Sequence, residues 1–452
     1  MDTITNISVL DGRYKGITSS LSTLFSEFGL IKYRVKVEVE WLLFLSDLLD
    51  ELTLSDAEKE KIKAVSKGFN IESAHRVKQI EATTNHDVKA VEYYIKQKLD
   101  ESGLSRIKEW VHFACTSEDI NNTAYGLMLF DGREVLTQEA DRVLTQLETK
   151  AKEWKSIPMM SRTHGQPASP TTVGKEFVVF ASRIKRELTA IKNSEIAVKM
   201  NGATGNFNAH ATIFPNIDWI DASARFISER LHLTPLLLTT QINPYNTISE
   251  LLHAMIRFSA TLIDLDRDMW GYISFGYFSQ KLKKGEIGSS TMPHKVNPIN
   301  FENSEGNLGI ANSLMEHLAV KLLTSRFQRD LTDSTVLRNL GSIFGYILIG
   351  LANTLKGLDK LSINEAAILV DLEKNPELLA EPIQTMMRVY GEENPYERLK
   401  EMTRGKRITL DETHEFIATL LKIPTEERAR LATLTPASYI GVAEELVDRY
   451  FK

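Results

Sequence analysis

From Thr116 to about Trp154 the chain runs without a proline, and Ile120, Ala124, Leu127, Val135, Val143 and Leu147 recur at helical spacing. That run predicts a helix far longer than the three turns usual in globular domains. Thr172 to Ile196, Ile248 to Phe278, Pro298 to Leu323 and Val336 to Leu358 repeat the pattern, each free of proline or beginning at one, where the first helical position tolerates it. Five long helices of this kind bury their apolar faces by packing along one another, so they predict a bundle. Leu251, Met255, Leu262, Phe301, Leu308, Ile343 and Ile347 spread over wide arcs, so each helix buries more than one stripe. An oligomeric bundle accounts for that spread; a monomeric bundle with a thick core fits the same pattern.

The flanks read differently. Before the first long helix the segments are short to medium: Ser55 and Glu58 form a capping-box pattern, and Val88, Val91, Ile95 and Leu99 make one stripe after Asp87. Beyond Leu361 the helical segments shorten again, and Gly405 and Pro424 punctuate them. Strictly alternating β-branched runs are scarce. The expectation is an all-α chain of three helical domains: residues 1–110, a central long-helix bundle at 111–362, and residues 363–452.

Composition excludes several classes. Fifty-four Lys and Arg face sixty Asp and Glu, a formal charge of -6, so there is no overall basic field for nucleic acid. The cluster Lys281, Lys283 and Lys284 is short and lacks interleaved aromatics, which argues against single-strand binding. Cys115 is the lone cysteine, which rules out an internal disulfide and a Cys-rich zinc site. No basic region followed by an apolar run opens the chain, so a cytoplasmic location is expected. Ile343 to Leu351 is nine apolar residues between Arg338 and Lys356, shorter than the roughly twenty a membrane span needs. It reads as core.

Three breaks between the long helices are rich in Gly, Asn, Ser, His and Thr, and binding groups concentrate in such connections. In Ser161-Arg162-Thr163-His164-Gly165-Gln166-Pro167, Gly and Pro place His164 on irregular backbone, where imidazole can serve as a proton donor near neutral pH. A loop histidine bonded to backbone would look the same. The second break, Lys284 to Pro298, combines glycines, hydroxyls, a cation and an amide, the makings of a lid over an anionic substrate. A serine there becomes a base only if a cation such as Lys295 and preorganised N–H donors stabilise its alkoxide; a solvated connector is the alternative. The third, Arg326 to Arg338, sets arginines and hydroxyls before a helix start, suited to phosphate or carboxylate, although Asp330 and Asp333 offer the arginines other partners.

Residues 288 to 298 match throughout the pattern G-S-S-x-M-P-x-K-x-N-P, by which the chain resembles the fumarase and aspartase superfamily. Asp11-Gly12-Arg13-Tyr14, Asn85-His86-Asp87-Val88, Thr116-Ser117-Glu118-Asp119, Thr240-Gln241, Arg329 to Arg338 and Pro436 to Gly441 extend the likeness over nearly the whole chain, and within the superfamily it is most similar to the adenylosuccinate lyase family. That resemblance implies a homotetramer whose sites are shared among subunits, a small-molecule nucleotide substrate, and elimination of fumarate. It implies His164 as general acid and Ser289 as general base, a choice between the adjacent serines that spacing alone leaves open. Ser290, Thr116, Ser117, Lys295, Asn297 and Gln241 are then contacts of the succinyl end, while Arg13, Tyr14, Arg329, Ser334 and Arg338 match phosphate and ribose contacts. His86, Asp87 and Val88 lie beside phosphate and base, and Val296, Asn303 and Thr335 complete the substrate-binding set. No cofactor or metal is implied, because the substrate carries its own electron sink, and the sequence holds neither a His-x-x-x-His nor a P-loop pattern. Argininosuccinate lyase, another fumarate-forming lyase, or a noncatalytic helical scaffold remain the alternative readings.

Overall fold

The computed structural model describes residues 3–281, 292, 295–404 and 408–452. Helix accounts for 68% of the chain and strand for 5%, which places it in the all-α class. The five long helices are Ser117–Glu153, Val173–Asn193, Asn246–Ser274, Ile299–Lys321 and Leu340–Lys360. The last begins four residues later than its apolar pattern, because Thr332–Leu337 forms a separate short helix before it.

The chain divides into two compact units, and each division falls inside one of those long helices. The first unit comprises Met1–Ala140, Glu187–Ile263 and Ser304–Ala352. It contains a 22-residue helix, Glu27–Leu48, in a region whose pattern predicted only shorter ones. The reason is visible in its burial: Val35, Val37, Val39 and Leu45 are all 0% exposed, and Leu42 to Leu45 form an unbroken apolar run. Before that run, Lys32, Arg34, Lys36, Glu38 and Glu40 alternate with Tyr33, Val35, Val37 and Val39, a period of two that leaves no helical stripe to read. Ser55 caps Asp56–Lys67 through a reciprocal capping box with Glu58, and Val88, Val91, Ile95 and Leu99 form the buried face of Asp87–Glu101, as their spacing predicts. Gly132 and Gly341 admit the ring of Phe25, which stacks on Phe344 at 4.7 Å; a Cβ at either glycine would lie 2.5 or 2.7 Å from Phe25.

The second unit comprises Asp141–Arg186, Asp264–Asn303 and Asn353–Lys452. Trp154 packs on Phe177 and Phe278 with centroids 5.2 and 5.4 Å apart. Short C-terminal helices close around Leu379, Ile383, Met387, Leu399, Ile417, Leu420, Ile423 and Leu431. Strands Pro158–Thr163 and Gln166–Thr172 form an antiparallel hairpin with Thr163 opposite Gln166. The segment Thr332–Lys360 holds a window long and apolar enough to cross a bilayer, yet 56% of that window is buried in protein and Ile343, Phe344, Ile347 and Ile349 are 0% exposed. Its apolar surface is already used by the core.

Candidate active site

In the first unit, one turn of helix fastens the predicted binding segments. The Ser117–Glu153 helix starts where Thr116 N–H donates to Asp119 Oδ2 at 2.8 Å, and residues 118, 119, 121 and 122 then each hold a different part of the chain. Asn121 Oδ1 accepts from Arg34 Nε at 2.8 Å, and Arg34 Nη2 meets Asp87 Oδ2 at 2.8 Å. Arg338 Nη2 reaches the same Asp87 oxygen at 3.2 Å, while its Nη1 contacts Glu27 Oε2 at 3.3 Å. Asp87 Oδ1 accepts from Val88 N–H at 2.8 Å. Burial alone would raise the Asp87 carboxyl, but the Arg34 cation, the Val88 N–H and Arg338 outweigh it and hold the group below its usual value. Two arginines thus converge on one carboxylate, and Arg338, at 43% exposure, keeps a face open.

Asp119 accepts from the N–H groups of Asn201 and Gly202 and pairs with Lys199 Nζ at 3.0 Å. Lys199 is fully buried and donates onward to the carbonyls of Gly202 and Gln241 at 2.9 and 2.8 Å. Asn122 holds both the N–H and the C=O of Lys199. Gln241 is therefore set from both ends, its Nε2 donating to Ala203 O at 2.9 Å and its Oε1 accepting from Arg329 Nη1 at 3.3 Å. Glu118, 2% exposed, accepts from Tyr245 Oη at 2.6 Å and lies 3.5 Å from Arg329 Nη2. Burial and the neighbouring Asp333 push its carboxyl up to about 7.

The sequence-predicted residues fall into this frame unevenly. Asp87, Val88 and Arg338 share one cluster; Thr116, Gln241 and Arg329 share another, with Ser117 at the helix start between them. Ser334 and Thr335 lie within the Thr332–Leu337 helix, whose start is at Thr332 and not after the hydroxyls as the sequence suggested. His86 is exposed and caps Asp87–Glu101, its Nδ1 accepting from Lys89 N–H at 3.2 Å. Arg13 is exposed with its guanidinium 5.8 Å from the Tyr14 ring.

In the second unit His164 is exposed, and its backbone is regular: His164 and Gly165, with φ of 56° and 75°, are the two central residues of the hairpin turn. Positive φ at both positions is the type I′ geometry that matches strand twist. Arg162 anchors the hairpin to Asp371 at 2.6 Å, an oxygen that also accepts from Tyr277. Lys295 and Val296 are exposed, Asn297 and Asn303 half-buried; Val296 O accepts from Gln280 Nε2 at 3.3 Å. Ser289 and Ser290 lie outside the described residues. Among the described residues, no three His, Cys, Asp or Glu side chains are grouped to hold a metal ion.

Sequence reasoning did not single out Arg34, Lys199 and Tyr245, and it named Glu118 and Asp119 only as part of the segment Thr116-Ser117-Glu118-Asp119. A usable signal was present for Lys199, a cation inside the apolar run Ile196 to Met200, where an uncompensated charge would be costly; Arg34 stands among Lys32, Lys36, Glu38 and Glu40 and is not marked out.

A family model described as "Lyase" matches residues 12–311, and one described as "Adenylosuccinate lyase C-terminal" matches 325–440. Adenylosuccinate lyase of Haemophilus influenzae is 52% identical, covering 99% of this chain and 99% of its own. The chain belongs to the adenylosuccinate lyase family. Another member, from Escherichia coli (strain K12), is 50% identical over the same shares. A fumarate lyase from Mesorhizobium sp. BNC1 superposes with a TM-score of 0.77 over 96% of this chain and 97% of its own, at 17% identity, a likeness of fold.

Proposed function

We propose that this chain eliminates fumarate from adenylosuccinate to leave AMP, and from succinylated aminoimidazole carboxamide ribotide to leave the carboxamide ribotide. The observation that carries the reading is end-to-end identity of about half of all positions with curated enzymes of that name. Ser289, as alkoxide, removes the proton from the succinyl β-carbon, and the electron pair moves onto the adjacent carboxylate. Lys295, Asn297, Ser290 and the Thr116–Ser117 helix start stabilise the resulting dianion. The carbon–nitrogen bond then breaks as the double bond of fumarate forms, and His164 protonates the departing nitrogen, which cannot leave as an anion.

Arg329 and Arg338, with Arg13, Tyr14, Ser334 and Thr335, hold phosphate and ribose, while His86, Asp87 and Val88 border the phosphate and base. Gln241 binds the reacting end; Val296 and Asn303 complete the wall. The enzyme works as a cytoplasmic homotetramer in which separate chains complete each site. A side-by-side absorbance assay on adenylosuccinate and argininosuccinate tests this. Turnover of the first alone is expected, with kcat lowered by about two to four orders of magnitude in Ser289→Ala or His164→Ala. Turnover of argininosuccinate alone, or full activity in Ser289→Ala, overturns it.

A further inference from the structure

Glu118 is a buried carboxylate with too few counter-charges. Tyr245 donates to its Oε1 at 2.6 Å, and the same hydroxyl stands 3.5 Å from Asp333 Oδ2. Asp333 is itself buried, and its Oδ1 has no hydrogen-bond partner among the described residues. Two carboxylates thus crowd one hydroxyl. The cations that offset them are Lys199, already engaged by Asp119, and Arg329, whose Nη2 is 3.5 Å from Glu118 Oε2 and whose side chain is 17% exposed. On its own helix the nearby titratable groups are Asp119, paired with Lys199, and Tyr125, which burial pushes up to about 12.

A dianionic phosphate arriving at Arg329 competes with Glu118 for the same guanidinium. Once Arg329 turns to the ligand, Glu118 keeps Asp333 beside it and loses an offsetting cation, so its ionised form becomes more costly. We propose that Glu118, backed by Tyr245 and Asp333, is a positioning residue that yields Arg329 to the substrate phosphate by taking up a proton from solvent, so that nucleotide binding is proton-coupled. The inference rests on the reading of Arg329 as a phosphate contact. Glu118 already sits at about 7 with Arg329 in place, so above neutrality the free enzyme is ionised and the complex is not.

Calorimetric titration of AMP at about pH 8, in two buffers of different ionisation enthalpy, reads the proton directly, because the nucleotide phosphate, with a second pKa of about 6, is already dianionic there. Wild type is expected to take up a large fraction of a proton per site with AMP and none with adenosine. Its AMP affinity weakens toward tenfold per pH unit above neutrality, the limit for one coupled proton. Glu118→Gln is expected to bind AMP with no proton uptake and a flat pH profile, behaviour that a merely structural role would not produce. Absence of uptake in wild type, with AMP binding lost in Arg329→Ala, overturns the inference and leaves the proposed function standing. Unchanged AMP binding in Arg329→Ala overturns the phosphate assignment instead. Should Glu118→Gln fail to fold, the AMP and adenosine titrations of wild type decide alone.

Discussion

His210 shows what a single burial does to chemistry. It is 1% exposed, both ring nitrogens lack a hydrogen-bond partner among the described residues, and the rings of Trp41, Phe113, Phe207 and Trp219 surround it at 4.9 to 6.5 Å. Burial lowers its pKa from 6.5 to about 4. The unfolded chain therefore binds a proton that the folded one refuses, so the stability is present above about pH 6.5 and is lost as pH falls toward 4. Over that window the cost approaches about 3 kcal/mol, and His210→Leu is expected to flatten the acid side of a plot of denaturation midpoint against pH. An equally steep loss in the variant would assign the acid sensitivity to other groups. The sequence around His210 shows only Phe207 and Trp219 of this cage, because Trp41 and Phe113 come from distant positions.

At the scale of an element, the hairpin carrying His164 shows where reading by periodicity stops. Its strands contain Pro158, Pro167 and Pro170, its register shifts between Met160 and Ser161, and among the described residues it pairs with no other strand. Alternation is therefore absent, and the His-Gly pair at the turn was the remaining clue. Gly165 holds φ 75°, and a Cβ there would meet no atom within 4 Å, so substitution strains backbone conformation alone. Gly165→Ala is expected to cost about 1–2 kcal/mol locally and to lower kcat more than it raises KM, by displacing the proposed acid, His164. Gly165→Asn, tolerant of that conformation, is expected to retain most activity in the same assay. Equal kinetics in both variants would separate the turn from catalysis. The Glu27–Leu48 helix failed to show for the opposite reason: from Lys32 to Glu40 charged and apolar residues alternate, a pattern that does not have the helical period.

For the whole molecule, the long helices retain apolar groups in water: Ile310 is 48% exposed and Val320 63% on the Ile299–Lys321 helix. The proposed homotetramer would cover such surface, and light scattering is expected to give the mass of four chains. Under the proposal that separate chains complete each site, mixing inactive His164→Ala and Ser289→Ala proteins after mild dissociation is expected to restore part of the activity. No recovery from mixed tetramers would refute shared sites. The all-α class, the five long helices, the capping box at Ser55 and the motif at residues 288 to 298 were all determined by the sequence alone, since each depends on spacing within one continuous segment. The hub at residues 118 to 122, the sharing of Asp87 between Arg34 and Arg338, and the crowding of Glu118 by Asp333 were decided only by tertiary structure. Those groups lie tens to hundreds of residues apart, and a buried charge has no definite energy until the fold chooses its partners.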